Sequence, residues 1–140
     1  MEFPSDLKYT KEHEWVRVEA DDEAVIGITD FAQDQLGEIV FVELPEVNEE
    51  FSKEENIATV ESVKAVSDVY APVSGTVLEV NVDLPNVPGT INEDPYGDGW
   101  MVRIKMTDPT EVDSLMDADE YEEYVAESSE EDDDFDDDDE

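Results

Sequence analysis

Lys64 sits in the run Glu61-Ser62-Val63-Lys64-Ala65-Val66-Ser67-Asp68, one of five lysines in a chain with 43 acidic residues. Ile57, Thr59 and Val60 precede it, and Val66, Val69 and Tyr70 follow. β-Branched and aromatic enrichment on both sides reads as two short strands meeting at a turn. Lys64 is therefore expected at a hairpin tip, projecting into solvent from a backbone held by cross-strand pairing. An enzyme that must find one ε-amine and acylate it needs that presentation. A lysine amine is protonated at neutral pH and a weak nucleophile unaided. The chemistry implied is modification by an external ligase, not catalysis by Lys64. A turn lysine with no role is the plainer alternative, and the surrounding chain decides between them.

The elements that must position this lysine come from 140 residues at 39% hydrophobic content, enough for one domain with a core but hardly for two. No apolar run approaches the length needed to cross a bilayer, and Met-Glu-Phe-Pro-Ser-Asp at the start lacks the basic-then-apolar order of a secretory signal. A cytoplasmic protein without membrane contact is expected. Zero cysteines exclude disulfides, thiolate metal sites and a cysteine nucleophile, so any thiol chemistry must come from an attached group.

The formal net charge is -36. Residues 111–140 hold 18 acidic and no basic residues, leaving 25 acidic against 7 basic in residues 1–110, a net of -18 there. The folded part is itself acidic, and a salt-loving host is the simplest cause. Acidity as a nucleic-acid mimic or as bait for a basic partner is the competing reading, and direct nucleic-acid binding is disfavoured by charge.

Along the chain, Glu14 to Val18 alternates as a strand, Asp21 to Glu23 reads as a turn, and Ala24 to Ile28 as a second strand. Thr29 is placed to cap a short helix, Asp30 to Leu36, which Gly37 terminates. Ile39 to Leu44 is almost continuously apolar, which predicts a strand buried on both faces and stopped by Pro45. After a polar link, Asn48 to Glu55, come the two arms of the lysine hairpin. The turn Pro72-Val73-Ser74-Gly75 then leads into a strand from Thr76 to Val82. A Pro-, Gly-, Asn- and Asp-rich loop, residues 83–99, precedes a last strand from Trp100 to Met106. Short strands at turn-punctuated intervals suggest a small β barrel or sandwich. Val112, Leu115, Met116, Tyr121, Tyr124 and Val125 have helical spacing, predicting a C-terminal helix from about Thr110 that covers the barrel. Residues 128–140 are a serine and acidic run whose single aromatic, Phe135, cannot support a core. Two regions are expected: a domain over 1–127 and a disordered acidic tail over 128–140.

Several ordered blocks carry a family likeness from Leu7 to about Ala126. They are Tyr9-Thr10-Lys11-Glu12-His13-Glu14-Trp15-Val16, Gly27-Ile28-Thr29-Asp30-Phe31-Ala32-Gln33, the stretch from Leu36 to Pro45, the Glu61-Ser62-Val63-Lys64-Ala65 core, and Asn92 to Trp100. With these the chain resembles the lipoyl-carrying H protein of the glycine cleavage system. The resemblance implies a mainly β fold, a small barrel-sandwich hybrid of the lipoyl/biotinyl type with a short internal helix and a C-terminal helix. It implies lipoic acid in amide linkage to Lys64, and recognition of Glu61 and Gly75 by the lipoylating enzyme. Biotin carriers favour Met-Lys-Met at this tip, so Val63-Lys64-Ala65 argues against biotin.

By the same resemblance, Lys64 carries an aminomethyl group from a pyridoxal-phosphate glycine decarboxylase to a tetrahydrofolate-dependent aminomethyltransferase, and dihydrolipoyl dehydrogenase reoxidises the arm. A lipoate ligase or a lipoyl or octanoyl transferase would attach the group. The carrier, a monomer, catalyses nothing; the tether turns separate encounters into local ones. Family members fold the loaded arm into a surface cleft, and Glu14 and Asp68 are the matching carboxylates to hold its cationic amine. His13 beside Trp15 reads as structural, Trp15 and Trp100 as core or rim aromatics, and the acidic runs lack the glycine and spacing of a calcium loop, so no metal site is expected. Where family members often have glycines after Pro45, this chain has Asn48 and Asn56, and asparagine tolerates the left-handed backbone.

Two further readings stand beside the carrier: a lipoyl reservoir or relay serving other lipoate-dependent enzymes, and an unmodified acidic interaction module. One prediction needs none of them. At low ionic strength the self-repulsion of the acidic body is unscreened, so desalting unfolds the protein. The melting curve recorded from high to low salt should shift steeply downward; an unchanged curve would refute this.

Overall fold

The computed structural model describes residues 3–127; the tail expected over 128–140 lies outside the described residues. Its strands are β1 (Lys8–Tyr9), β2 (Glu14–Ala20), β3 (Glu23–Ile28), β4 (Ile39–Glu43), β5 (Glu50–Phe51), β6 (Asn56–Ser62), β7 (Val66–Tyr70), β8 (Gly75–Val80) and β9 (Val102–Met106). Helices α1 (Asp30–Leu36) and α2 (Thr90–Glu93) interrupt them, a 3-10 helix follows at Pro109–Ser114, and residues 118–127 form α3. A six-stranded sheet runs β1-β2-β3-β9-β8-β5, and a three-stranded sheet runs β4-β6-β7, every pairing antiparallel. The architecture is a mainly β barrel-sandwich.

Alternation places the core. Val42 and Val60 from the small sheet, and Ile26, Val77 and Ile104 from the large one, bury their side chains in one cluster. Val42, Val60, Val77 and Ile104 alternate with residues that face solvent, as the two-residue period of a strand requires, while Ile26 alternates with Val25, which is buried on the opposite face. α1 begins where its cap predicts: the Thr29 hydroxyl oxygen accepts from Ala32 N, and Gly37, at φ +81°, closes the helix by donating to Gln33 O. After Pro45, Asn48 takes a left-handed backbone at φ +78°, and so does Glu54 at φ +76°, a residue the sequence did not single out.

Four expectations need correction. β4 is not buried on both faces: Val40 and Phe41 are 48% and 46% exposed, because β4 is an edge strand with a bulge between Ile39 and Phe41. Apolarity there does not signal burial. The polar link contains β5, which pairs with the start of β8. The loop over 83–99 contains α2. The single C-terminal helix is two pieces, because Met116 breaks out to form an antiparallel bridge with Tyr9, each backbone N–H donating to the other's carbonyl at 2.8 and 2.9 Å. The helix restarts at a capping box: Glu120 N donates to Asp117 Oδ1 and Asp117 N to Glu120 Oε1.

α3 then covers a second cluster of Leu7, Tyr9, Trp15, Val25, Phe31, Tyr121 and Val125. The Tyr9 and Tyr121 rings stack at 4.6 Å, and the buried Tyr121 hydroxyl lies 2.7 Å from Thr29 Oγ1 and 2.8 Å from His13 Nδ1. Burial raises both phenols well above the usual tyrosine range. His13 thus bonds a core phenol from a left-handed turn at φ +71°, and Trp15 is fully buried with its indole N–H donating to Pro95 O.

Gly75 opens β8 between β5 and β9, and a Cβ there would run into the carbonyl oxygen of Lys105 on the adjacent strand. Backbone cannot yield as a side chain can. Gly75→Ala should cost about 1–3 kcal/mol by overpacking, whereas Gly89→Ala, whose Cβ meets nothing within 4 Å, should not. Equal melting temperatures for the two variants would contradict this.

Candidate functional site

The hairpin joining β6 to β7 ends in a four-residue turn built by Ser62. Its backbone N–H donates to Ala65 O at 2.8 Å, and its buried hydroxyl accepts from Ala65 N at 3.0 Å and Lys64 N at 3.3 Å. A short polar side chain that satisfies the turn's own amides is a common way of fixing such a bend. Val63 N donates to Glu38 O at 3.1 Å, tying the tip to the corner between α1 and β4. Lys64, exposed, lies over that corner: its Cε is 3.5 Å from where a Cβ on Gly37 would stand.

The corner is itself clamped. Asn92, from α2, donates through Nδ2 to Gly37 O at 2.8 Å and to Gln33 Oε1 at 2.9 Å, and its Oδ1 accepts from Ile39 N at 2.9 Å. Nothing local in the sequence links residue 92 to residues 33–39, so its positioning role was not legible there. Glu61 is half-exposed on β6, between Phe41 and Val66 in the pairing register. Gly75 lies in the other sheet, where its missing side chain has the packing reason given above.

β7 runs from this tip toward a surface cavity of about 280 Å³ lined by Thr10, Glu14, Lys53, Tyr70, Pro72 and Met116 among others. Glu14 is 2% exposed. Its carboxylate accepts from the Thr10 hydroxyl at 2.7 Å and from Tyr70 N at 3.1 Å, so β7 and the β1–β2 turn both hold it. Burial pushes its carboxyl up to about 7, with the bonds from Thr10 and Tyr70 opposing the rise. A buried carboxyl is costly to ionise, and a cation placed beside it would offset that cost. Asp68 is exposed midway along β7, opposite Thr59, and does not line the cavity. The structure therefore brings Glu14 into the cleft and leaves Asp68 on the outer face. Thr10 and the Tyr70 amide went unread in the sequence because their role appears only once β2 and β7 converge.

Residues 7–128 match the family model for the glycine cleavage H-protein. The chain belongs to the glycine cleavage H-protein family. Its members are lipoyl carriers and not catalysts. A glycine cleavage system H protein from Symbiobacterium thermophilum is 54% identical over 124 residues, covering 89% of this chain and 96% of that one. Another from Halorhodospira halophila is 55% identical over 126 residues, covering 90% and 97%. A crystal structure of a glycine cleavage system H protein from Mycobacterium marinum superposes with a TM-score of 0.79 at 40% identity, covering 90% of this chain and 98% of that one. The barrel-sandwich is thus the fold of an H protein.

The raised pKa of Glu14 has a definite sign in stability. An acid whose folded pKa lies above its unfolded value costs nothing below pH 4.5, where it is protonated in both states, and its full penalty appears above pH 7. Glu14→Gln removes that titration. The stability difference, variant minus wild type, should rise across this window by up to roughly 3 kcal/mol. Denaturant unfolding at several pH values in constant high salt measures it, and a flat difference would contradict the assignment.

Proposed function

We propose that Lys64 carries lipoic acid in amide linkage and that the domain over residues 1–127 shuttles an aminomethyl group within the glycine cleavage system. It would receive the group from glycine decarboxylase, present it to the tetrahydrofolate-dependent aminomethyltransferase, and return to dihydrolipoyl dehydrogenase. A lipoate ligase or a lipoyl or octanoyl transferase would modify it, reading Glu61 and Gly75. The protein would act as a cytoplasmic monomer; among the described residues no helix is long and apolar enough to cross a membrane.

The observation that carries this reading is the pairing of an exposed lysine on a tied-down tip with a cleft that holds the buried Glu14 at the other end of one strand. The bound group supplies two sulfur atoms that take up and release the aminomethyl carbon and change redox state; the chain itself, with no cysteine, has none to offer. Ser62, Glu38 and Asn92 hold the tip still, so that Lys64 is presented the same way to each partner. β7 spans about 13 Å from tip to cleft, the distance an arm on Lys64 must cover. Glu14 binds the cationic amine at the end of that path, and its ionisation sets when it does so. Asp68, between the two, offers a carboxylate on the way in. Tyr9 and Met116, joined by their backbone bridge, form part of the lining of the cleft.

Lipoylation blocks trypsin after Lys64 and joins residues 54–64 to residues 65–103. Peptide mass spectrometry of protein from its native host should recover the joined peptide with one lipoyl increment. A biotin increment would move the protein to carboxylase chemistry, and complete cleavage after Lys64 in a lipoylating host would refute the carrier.

A further inference from the structure

The turn joining β1 to β2 is folded around one hydroxyl. Thr10 N donates to Glu14 O at 3.0 Å and His13 N to Thr10 O at 3.1 Å, closing residues 10–14 into a loop. Inside it the Thr10 hydroxyl oxygen accepts from two main-chain amides, Glu12 N at 3.2 Å and Glu14 N at 3.1 Å. A hydroxyl has two lone pairs and one proton. Both lone pairs are taken, so the proton is all that remains, and it goes to Glu14 Oε1 at 2.7 Å. A free hydroxyl turns to donate or accept as its partner's protonation changes; this one can only donate. Glu14 Oε2 meets the Tyr70 main-chain N–H at 3.1 Å, which cannot accept either. A protonated Glu14 would need an acceptor for its own proton, and neither of these partners can serve. An ionised Glu14 satisfies both donors and keeps a further lone pair on each oxygen for an incoming cation.

We propose that Thr10 is a positioning residue for the cationic amine of a loaded arm: its hydroxyl, made a permanent donor by the turn, keeps Glu14 a carboxylate acceptor in the cleft. The proposal rests on the reading of Glu14 as the receptor for that amine. Burial works against it and is the strongest influence on the carboxyl; the Thr10 bond opposes burial more than the Tyr70 amide does, and the charge of Glu12 sides with burial. The other charged or titratable groups around the cleft are Lys11 from the same turn, Lys53 and Glu54 from the link before β6, Tyr9 from β1 and Tyr70 from β7. The Tyr121 phenol of α3 also feels the Glu14 charge. Of these side chains, only Thr10 donates a hydrogen bond to the carboxylate.

The test reads Glu14 directly. On the full, unmodified chain in constant high salt, carbon NMR follows the Glu14 carboxyl through its titration, its signal assigned by its loss in Glu14→Gln. Thr10→Val, which keeps the shape of threonine without the hydroxyl, should move the midpoint up by about one pH unit. Thr10→Ser should restore the wild-type midpoint. On the lipoylated chain loaded with the aminomethyl group, loss of that group is timed against pH, each rate compared with that of Glu14→Gln. Protection in Thr10→Val should set in at a higher pH than in wild type, displaced by the same amount, and recover once Glu14 is ionised. A purely structural role would weaken protection at every pH and leave its midpoint in place. An unmoved Glu14 midpoint in Thr10→Val overturns the proposal, as does a serine variant that titrates like the valine one. If Thr10→Val does not fold, Thr10→Asp carries the test, since aspartate accepts from turn amides but, ionised, has no proton to give; an unmoved midpoint there overturns the proposal equally. A Glu14→Gln chain that protects its aminomethyl group as well as wild type would instead refute the amine reading beneath it, with the titration still deciding what Thr10 does to Glu14.

Discussion

The structure depends most on one side-chain amide. Asn92 makes three hydrogen bonds to the end of α1, to Gly37 and to the start of β4, and this corner receives the Lys64 tip through the Val63 to Glu38 bond. A hairpin tip alone is a frayed thing, since its turn has solvent on most sides. Here the tip borrows rigidity from a helix, a glycine cap and an edge strand that the amide holds in register. The network is only part-buried, so its strength comes from one amide satisfying three groups at once. Among the described residues no buried side-chain nitrogen or oxygen lacks a partner.

The second constraint is charge. The chain must collapse around its apolar clusters while its carboxylates repel, and its few cations are placed where they serve the sheet. Arg103 reaches Glu19, Glu23 and Glu79, Arg17 reaches Glu19, and Lys105 reaches Asp22. These are half-exposed pairs of small individual value, yet they cross-link β2, β3, β8 and β9 on one face. Lys11 and Lys53 line the cleft, where Lys53 also bonds Ser114. Among the described residues Glu14 is the carboxylate that the fold has buried. Its neighbours on the surface keep their water, and it exchanges that water for Thr10 and the Tyr70 amide.

What can be read in the chain and what cannot divides along a physical line. Local rules carried the first α-helix to its terminal residues, because the Thr29 cap and the Gly37 stop are properties of the backbone within a few positions. They carried the lysine hairpin too, since β-branched residues flank a short turn. They misjudged β4, where apolar residues look the same whether they face a core or solvent. They also ran one helix through Met116, because the bridge that breaks it belongs to Tyr9, more than a hundred positions earlier.

By itself, then, the sequence determined the strand and turn alternation, the family likeness, the single candidate lysine and the absence of any sulfur nucleophile. Tertiary structure alone decided that Glu14 and not Asp68 enters the cleft, that Asn92 clamps the corner beneath Lys64, and that Val40 and Phe41 of β4 are left exposed. The reason is range. Propensity, capping and periodicity act over a few residues, whereas burial, and with it the acidity of Glu14, depends on which distant strands converge.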